Sequence, residues 1–290
     1  MPEFLFEFPE IIRLPLAEWI DAIISWLLSN WSVFFNTIGD SILFVLLYIE
    51  KFLLWLPWLA VVILVGLVAW RIMRLWWAGL IMAAFLVMIG SFGYWDLAMM
   101  TLAIIITAVI ISLVVGIPTG IIMARSNFVE SALRPVLDAM QTMPSFVYLI
   151  PALMFFGLGK VPAVFATIIY AAPPVIRLTN VGIRQVPRSV VEAAQAFGSS
   201  ARQILFEVQL PLAIPAIMVG INQTTMMALA MVVIASMIGA RGLGLEVLLA
   251  INRIEVGRGF EAGLSIVLLA IIIDRITHAL ATRQEYQVTT

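Results

Sequence analysis

The sequence predicts an all-α membrane protein of about seven transmembrane helices, preceded by amphipathic helices lying at a membrane interface. Three observations lead there. Hydrophobic residues make up 63% of the 290 and charged residues 11%, whereas about a quarter of a soluble chain is charged. Mean hydropathy is +1.11, so lipid must serve as the solvent. The acids cluster at the ends of the apolar runs, where charge costs least. The same composition excludes other classes. A net charge of −1 leaves no basic face for nucleic acid. Without cysteine there is neither disulfide nor thiolate chemistry. The single histidine, His278, cannot assemble a metal site, and no metal is expected. Glu3, Glu7 and Glu10 make the N-terminus acidic where a signal peptide would be basic.

Residues 1–51 are expected to form an amphipathic N-terminal scaffold. Glu18, Asp21, Ser25 and Ser29 recur at three- and four-residue spacing, with Trp19, Ile20, Ile23, Ile24, Trp26 and Leu27 filling the remaining arc. That pattern makes an interfacial helix. Ser41 to Ile49, between Asp40 and Glu50, reads as a second interfacial helix too short to span. The alternative is one tilted span from Trp31 to Lys51, which would bury Asp40 in lipid at high cost. A span takes about 20 apolar residues at a rise of 1.5 Å each. That rule selects 52–70 and 75–91, two additional transmembrane helices within 52–93, divided by Arg71 and Arg74. It also selects 97–123, 136–157, 161–178, 211–238 and 262–281, leaving 284–290 as a tail.

Basic residues set the orientation. Arg71, Arg74, Arg125, Arg134, Arg177, Arg184, Arg188, Arg202, Arg275 and Arg283 fall on one side. The smaller set, Arg13, Lys51, Lys160, Arg241, Arg253 and Arg258, falls on the other. The first side is therefore cytoplasmic, with the N-terminus outside and the C-terminus inside. Loop 239–261 strains this rule by carrying three of the outer arginines. A re-entrant or membrane-lying segment from Leu243 to Ile254 would account for it.

The cytoplasmic loop 179–210 is the most informative stretch. Val190 to Phe197 reads as a short helix with Glu192 in its first turn, ended by Gly198 as a left-handed cap. Ser199 or Ser200 then caps a second helix running through Arg202, Leu205 and Val208 to Pro211. A short helix on a glycine corner makes a compact ball that can sit in a partner's groove and transmit a push. Glu192-Ala193-Ala194, Gly198 and then Val208-Gln209-Leu210-Pro211 resemble the E-A-A signature of ATP-binding-cassette (ABC) importer permeases, with Val208 in place of the usual Ile. Further motifs narrow the resemblance. Gln141-Thr142-Met143-Pro144, Ala172-Pro173-Pro174-Val175-Ile176-Arg177, Asn222-Gln223-Thr224 and Ile234-Ala235-Ser236-Met237-Ile238-Gly239-Ala240-Arg241-Gly242-Leu243-Gly244 look like the permeases of importers for quaternary ammonium osmolytes. Their substrates are glycine betaine, proline betaine, choline and carnitine.

The resemblance covers about residues 94–283 and implies a five-helix type I ABC importer core there. It makes the Glu192–Gly198 segment a coupling helix resting on a separate ATPase, with Glu192, Ala193, Ala194 and Gly198 carried over by position. Arg188 and Arg202 flank it and, by charge, suit acidic groups on that partner. The resemblance also implies an extracytoplasmic solute-binding protein, a second copy of the chain as a homodimer, and a multi-pass place in the bacterial cytoplasmic (inner) membrane. ATP and Mg2+ belong to the partner ATPase, and no cofactor belongs to this chain. Gly157-Leu158-Gly159-Lys160 is the nearest echo of a nucleotide loop but lacks the upstream Gly and the following Ser or Thr. The chain is therefore expected to be a transport subunit without catalytic residues.

Inside the membrane, Asn222, Gln223, Thr224 and Met227 are candidates for lining a path, with satisfaction of a neighbouring helix as the alternative. Gly242 and Gly244 match the family's outer gate region. Gly116 with Gly120, and Gly259 with Gly263, are spaced for close helix approach, within the protomer or between copies. The nine tryptophans all precede the end of the third span and read as interface anchors. Substrate choice is then expected to reside in the binding protein. An importer for another small solute, or an ion-coupled secondary transporter, is the alternative function. Ion-coupled carriers usually place acids or broken helices at mid-bilayer, and the acids here lie at span ends.

Overall fold

The computed structural model describes residues 14–288, with side chains through Leu280. Glu3, Glu7, Glu10, Arg13, the Arg283 side chain and the end of the 284–290 tail lie outside the described residues. The described chain is helical throughout. Helix α1 (Leu16–Asn30) is amphipathic as expected and buries none of its residues. Helix α2 (Ser32–Trp55) corrects the expected short helix at 41–49. It runs 24 residues without a break and is long and apolar enough to cross a membrane. Gly39, Ile42, Leu46 and Glu50 form its buried face at helical spacing, while Asp40 stays on the exposed side. Residue 51 is therefore no element boundary. Glu50 is held by Lys160, whose Nζ lies 2.6 Å from both carboxylate oxygens.

The chain breaks at Leu56, which is extended (ψ 131°) because Pro57 follows it. The first expected span, 52–70, thus begins six residues late, at Trp58. Helices α3 (Trp58–Met73) and α4 (Trp76–Ser91) have 16 residues each, short of the usual span length. They form a hairpin that crosses at Gly66 and Gly79, where a Cβ on Gly79 would stand 2.5 Å from the Gly66 carbonyl oxygen.

The core is built on α5 (Trp95–Arg125). After it, α6 (Asn127–Thr142), a 3-10 turn at Ser145–Tyr148 and α7 (Leu149–Phe156) replace the single span expected over 136–157. The pair is bent by 111°, because Met143 precedes Pro144 and takes an extended conformation (ψ 137°). Asp138 of α6 pairs with Arg177 of the helix that follows the bent pair.

Helix α8 (Lys160–Arg184) is the most enclosed, and glycines bring its neighbours close. A Cβ on Gly116 or Gly120 of α5 would lie 2.6 Å from Val175 or from Thr179 and the Ile176 carbonyl. On its other side Gly182 meets Ala213 and Ala216, and Gly220 meets Val175 and Leu178. Gly116 and Gly120 therefore serve packing within the protomer. Overpacking a close helix contact costs about 1–3 kcal/mol. Gly120→Val is expected to lower the thermal unfolding midpoint of the detergent-purified protein clearly, and an unchanged midpoint would contradict this packing.

The loop after α8 holds α9 (Arg188–Ala196) and a short turn, α10 (Ala201–Gln203). A π-helical stretch, Ile204–Gln209, leads into α11 (Leu210–Ala235). Helices α12 (Leu243–Arg253) and α13 (Val256–Val288) follow. Five described helices are long and apolar enough to span, six if the bent pair counts as one. The expected seven stretches include α3 and α4, which fall short on length.

Candidate functional site

The loop between α8 and α11 is a rigid base carrying an exposed helix. Ile183, Leu205, Ala213 and Ile217 form a buried cluster beneath it. Helix α9 itself buries nothing. It begins at Arg188, two residues earlier than expected. Glu192 thus sits in its second turn, where the helix dipole contributes little.

Gly198 ends α9 with φ +83°. The Gly198 N–H donates to the Gln195 carbonyl at 2.9 Å, and the Ser199 N–H donates to the Ala194 carbonyl at 3.0 Å. This pair of bonds is a Schellman cap, for which glycine is the favoured residue. Space around Gly198 is open. Ser200 then starts the next turn with a reciprocal capping box to Gln203. Glu192, Ala193, Gly198, Arg188 and Arg202 are all exposed and Ala194 is half-buried. Phe197, beside the cap, is 92% exposed, an aromatic ring with no cover. Arg202 lies over the Phe206 ring, 5.9 Å from its centre.

A cleft of about 420 Å³ separates α9 from the ends of α5 and α8 and is lined by Arg125, Arg184, Arg188, Glu192 and Gln195. Arg184 locks its far wall. Its Nε donates to Asn180 Oδ1 at 2.9 Å, Nη1 to Asn127 Oδ1 at 2.8 Å and Nη2 to the Met123 carbonyl at 2.8 Å. Glu130 completes the set at 3.1 Å. Sequence reasoning missed this residue as an anchor. The i, i+4 spacing of Asn180 and Arg184 is the only local signal; Glu130 and Asn127 are remote in the chain.

The candidate path residues do not share a face. Asn222 Oδ1 accepts from the Thr277 hydroxyl of α13 at 2.5 Å, so it satisfies a neighbouring helix. Thr224 is fully buried with its hydroxyl unpartnered. Met227 packs at the edge of the main core. Gln223 alone is exposed, in a stripe of α11 that also exposes Leu212, Val219 and Met226. Gly242 and Gly244 are packing glycines. A Cβ on Gly242 would lie 2.6 Å from Thr101 Oγ1, and one on Gly244 would lie 3.0 Å from Ser236 Cβ. The intervening Leu243 N–H donates to Thr101 Oγ1 at 2.9 Å. Together they fix the start of α12 to α5 and to the end of α11.

Helices α12 and α13 form an antiparallel hairpin over 243–261, in which Arg258 is paired with two glutamates. Arg258 donates to Glu246 through Nε at 3.0 Å and Nη2 at 2.5 Å, and to Glu255 through Nη1 at 3.0 Å. Tyr94, at the start of α5, lies beside this group. Burial first, then the charges of Glu246 and Glu261, push its phenol above the usual range.

Comparison with known proteins places these features in context. Residues 116–286 match the family model described as binding-protein-dependent transport system inner membrane component. The chain is 47% identical over 266 residues to the glycine betaine/proline betaine transport system permease protein ProW of Escherichia coli (strain K12), covering 92% of this chain and 75% of that one. It is 48% identical over 274 residues to the glycine betaine/carnitine transport permease protein GbuB of Listeria monocytogenes, covering 93% and 97%. Against the glycine betaine transport system permease protein OpuAB of Bacillus subtilis it is 45% identical, covering 94% and 96%. The fold resembles a chain of the inward-facing MetNI methionine ABC transporter, with TM-score 0.57 and 19% identity over 63% of this chain and 92% of that chain.

Proposed function

This chain belongs to the binding-protein-dependent transport system inner membrane component family, and we propose that it is the pore subunit of an ATP-driven importer for quaternary ammonium osmolytes. Glycine betaine, proline betaine, choline and carnitine are its candidate cargoes. The chain is a transport component and not an enzyme; hydrolysis of ATP, with Mg2+, belongs to a separate ATPase. The observation that carries this reading is the exposed helix α9, capped by Gly198 on a buried base and presenting Phe197 and Glu192 outward. An exposed ring on a rigid support is how a hot-spot contact is built.

In this proposal Glu192, Ala193, Ala194 and Gly198 meet the ATPase groove, and Arg188 and Arg202 face its acidic rim. The coupling loop and C-terminus lie in the cytoplasm, and α1 and α2 brace the outer side. Contacts of α2 support an outer N-terminus. Phe35, near its start, stacks on Phe155 at 4.3 Å, close to Gly159, whose N–H bonds the Ile238 carbonyl. Its end leads to Trp58, which lines one cavity with Ser91 and Trp95. Both ends of α2 thus meet the end of the bundle away from α9.

The test is co-purification with the ATPase, followed by ATP hydrolysis with the binding protein and each candidate ligand. Stimulation by at least one quaternary ammonium compound is expected; stimulation only by a solute of another class contradicts the cargo assignment.

The exposed stripe of α11 favours a homodimer with the path at its seam. An uncharged amide such as Gln223 is costly against lipid and belongs against protein or water. The native chain lacks cysteine, so Gln223→Cys can be tested for crosslinking directly. A crosslinked dimer that blocks uptake is expected, and labelling by a lipid-phase probe alone would contradict it.

A further inference from the structure

The α3–α4 hairpin closes in a short turn, Arg74 and Leu75, that the proposed importer leaves without a role. Its depth follows from helix length. Each arm has 16 residues, about 24 Å, against a hydrocarbon core of about 30 Å. The other end of the hairpin is level with the start of α5, since Trp58, Ser91 and Trp95 line one cavity. From there α5 runs 31 residues, about 46 Å, to Arg125 beside α9. The turn therefore faces the α9 end of the bundle and stops well short of it. A hairpin too short for its bilayer draws headgroups inward or makes its charged side chains snorkel out.

A cavity of about 610 Å³ opens at this turn, lined by Leu67, Val68, Trp70, Arg71 and Arg74. Ligand sites usually fall between about 300 and 1,000 Å³. Arg71 and Arg74 are exposed and have no acidic partner among the described residues. An unpaired guanidinium beside hydrocarbon is expensive, so the pair needs a counter-charge that these residues do not supply. The cavity at the Trp58 end of the same hairpin, about 460 Å³, has no charged residue in its lining. The walls at the turn are preformed. Trp70 packs on α4, its Cβ 3.0 Å from where a Cβ on Gly79 would stand. Arg74 closes α3 in a left-handed conformation, φ +56°, uncommon for a residue with a side chain. Trp70, Trp76 and Trp77 are exposed around the turn, an aromatic belt suited to headgroup level.

We infer that the α3–α4 turn is a phospholipid site, with the lipid phosphodiester between Arg71 and Arg74 and an acyl chain along Leu67, Val68 and Trp70. Guanidinium groups bind phosphate oxygens through paired N–H donors, and the phosphodiester is the anion a bilayer presents at this depth. A soluble anion satisfies the arginines and leaves the apolar walls in water. A plain hydrocarbon satisfies the walls and leaves the charges unmet. A phospholipid meets both demands in one molecule. In the orientation proposed above the site belongs to the cytoplasmic leaflet; binding itself requires neither that orientation nor any choice of cargo.

The full-length chain is purified in detergent and stripped of lipid. It is then offered phosphatidylglycerol, phosphatidylcholine, diacylglycerol or glycerol 3-phosphate, and bound molecules are counted by native mass spectrometry. The parent is expected to retain either phospholipid and neither of the other two. Arg71→Gln with Arg74→Gln should lower phospholipid retention about tenfold or more, while Arg71→Lys with Arg74→Lys keeps the charge and most of the retention. Removing both arginines also weakens the bias that orients the hairpin, so Val68→Trp serves as the second variant. It fills the cavity, leaves both charges in place and should lose retention as well. Both the Gln pair and Val68→Trp should melt with the lipid-free parent, which separates lost binding from lost folding. Added phosphatidylglycerol should raise the melting midpoint of the parent and not theirs.

Equal retention of diacylglycerol overturns the proposal and leaves an apolar groove without headgroup recognition. Glycerol 3-phosphate that binds and displaces the phospholipid overturns it in favour of a site for soluble anions. Phospholipid retention unchanged in both the Gln pair and Val68→Trp puts the lipid elsewhere on the chain and overturns it too. The importer reading stands or falls separately, on uptake and ATP hydrolysis.

Discussion

Gly198→Asp is expected to abolish ATP-driven uptake while the protein still inserts and accumulates in the membrane. The glycine sits at φ +83° with open space around it, so a side chain meets no clash within this protein. Placing a non-glycine residue there costs about 1 kcal/mol of local conformational energy, too little to unfold a helical bundle. The damage falls on the surface offered to the ATPase: the cap between Ala194, Gln195 and Ser199 loosens, and a carboxylate projects beside Phe197. Glu192→Lys should act the same way by reversing the exposed charge on α9. Uptake assayed in membrane vesicles, normalised to inserted protein, decides the matter. Unimpaired transport by purified Gly198→Asp complexes would refute the coupling role of α9.

Glu50→Ala is expected to produce the largest loss of stability of any single change outside the tightly packed glycines. Glu50 and Lys160 are largely buried, at 9% and 20% side-chain exposure, and bonded at 2.6 Å. Removing one partner strands the other charge away from water, at a cost of about 3 kcal/mol. Removing both, as in Glu50→Leu with Lys160→Met, replaces the pair with apolar packing and should recover most of the loss. Thermal unfolding of the single and double variants in detergent measures this. A Glu50→Ala protein that melts with the parent, or a double variant no better than the single ones, contradicts the assigned burial.

The loop 179–210 was the most legible part of the chain because its signals are local. Gly198, the Ser200 cap and the spacing to Pro211 lie within a few turns, and each cap takes the place expected of it. The family resemblance read from those residues is borne out by the family match and by the betaine permeases. Elements whose fate depends on direction were less legible. A hydropathy window sums composition and does not report which face an acid occupies, so Asp40 argued against a long α2 although it points away from the packed face. The same limit hid the break at Pro144, inside an apolar run that continues on both sides of it. Long-range partners were invisible for a different reason. Asn222 finds Thr277 fifty-five residues on, Glu50 finds Lys160, and Arg184 finds Glu130, pairings that only the folded bundle creates. The hairpin over 243–261 lay between these cases. Its excess of arginines was evident in sequence, while the clamp of Arg258 on two glutamates needed the fold.

Reconstitution decides whether this chain moves solute only together with a separate ATPase. Proteoliposomes are prepared with this chain alone, or with its ATPase, and given the binding protein and labelled glycine betaine outside. Uptake is expected only when the ATPase is present and ATP is enclosed within, and none from the chain alone under an imposed proton or sodium gradient. Gradient-driven uptake by the chain alone would contradict it and make the protein a secondary transporter.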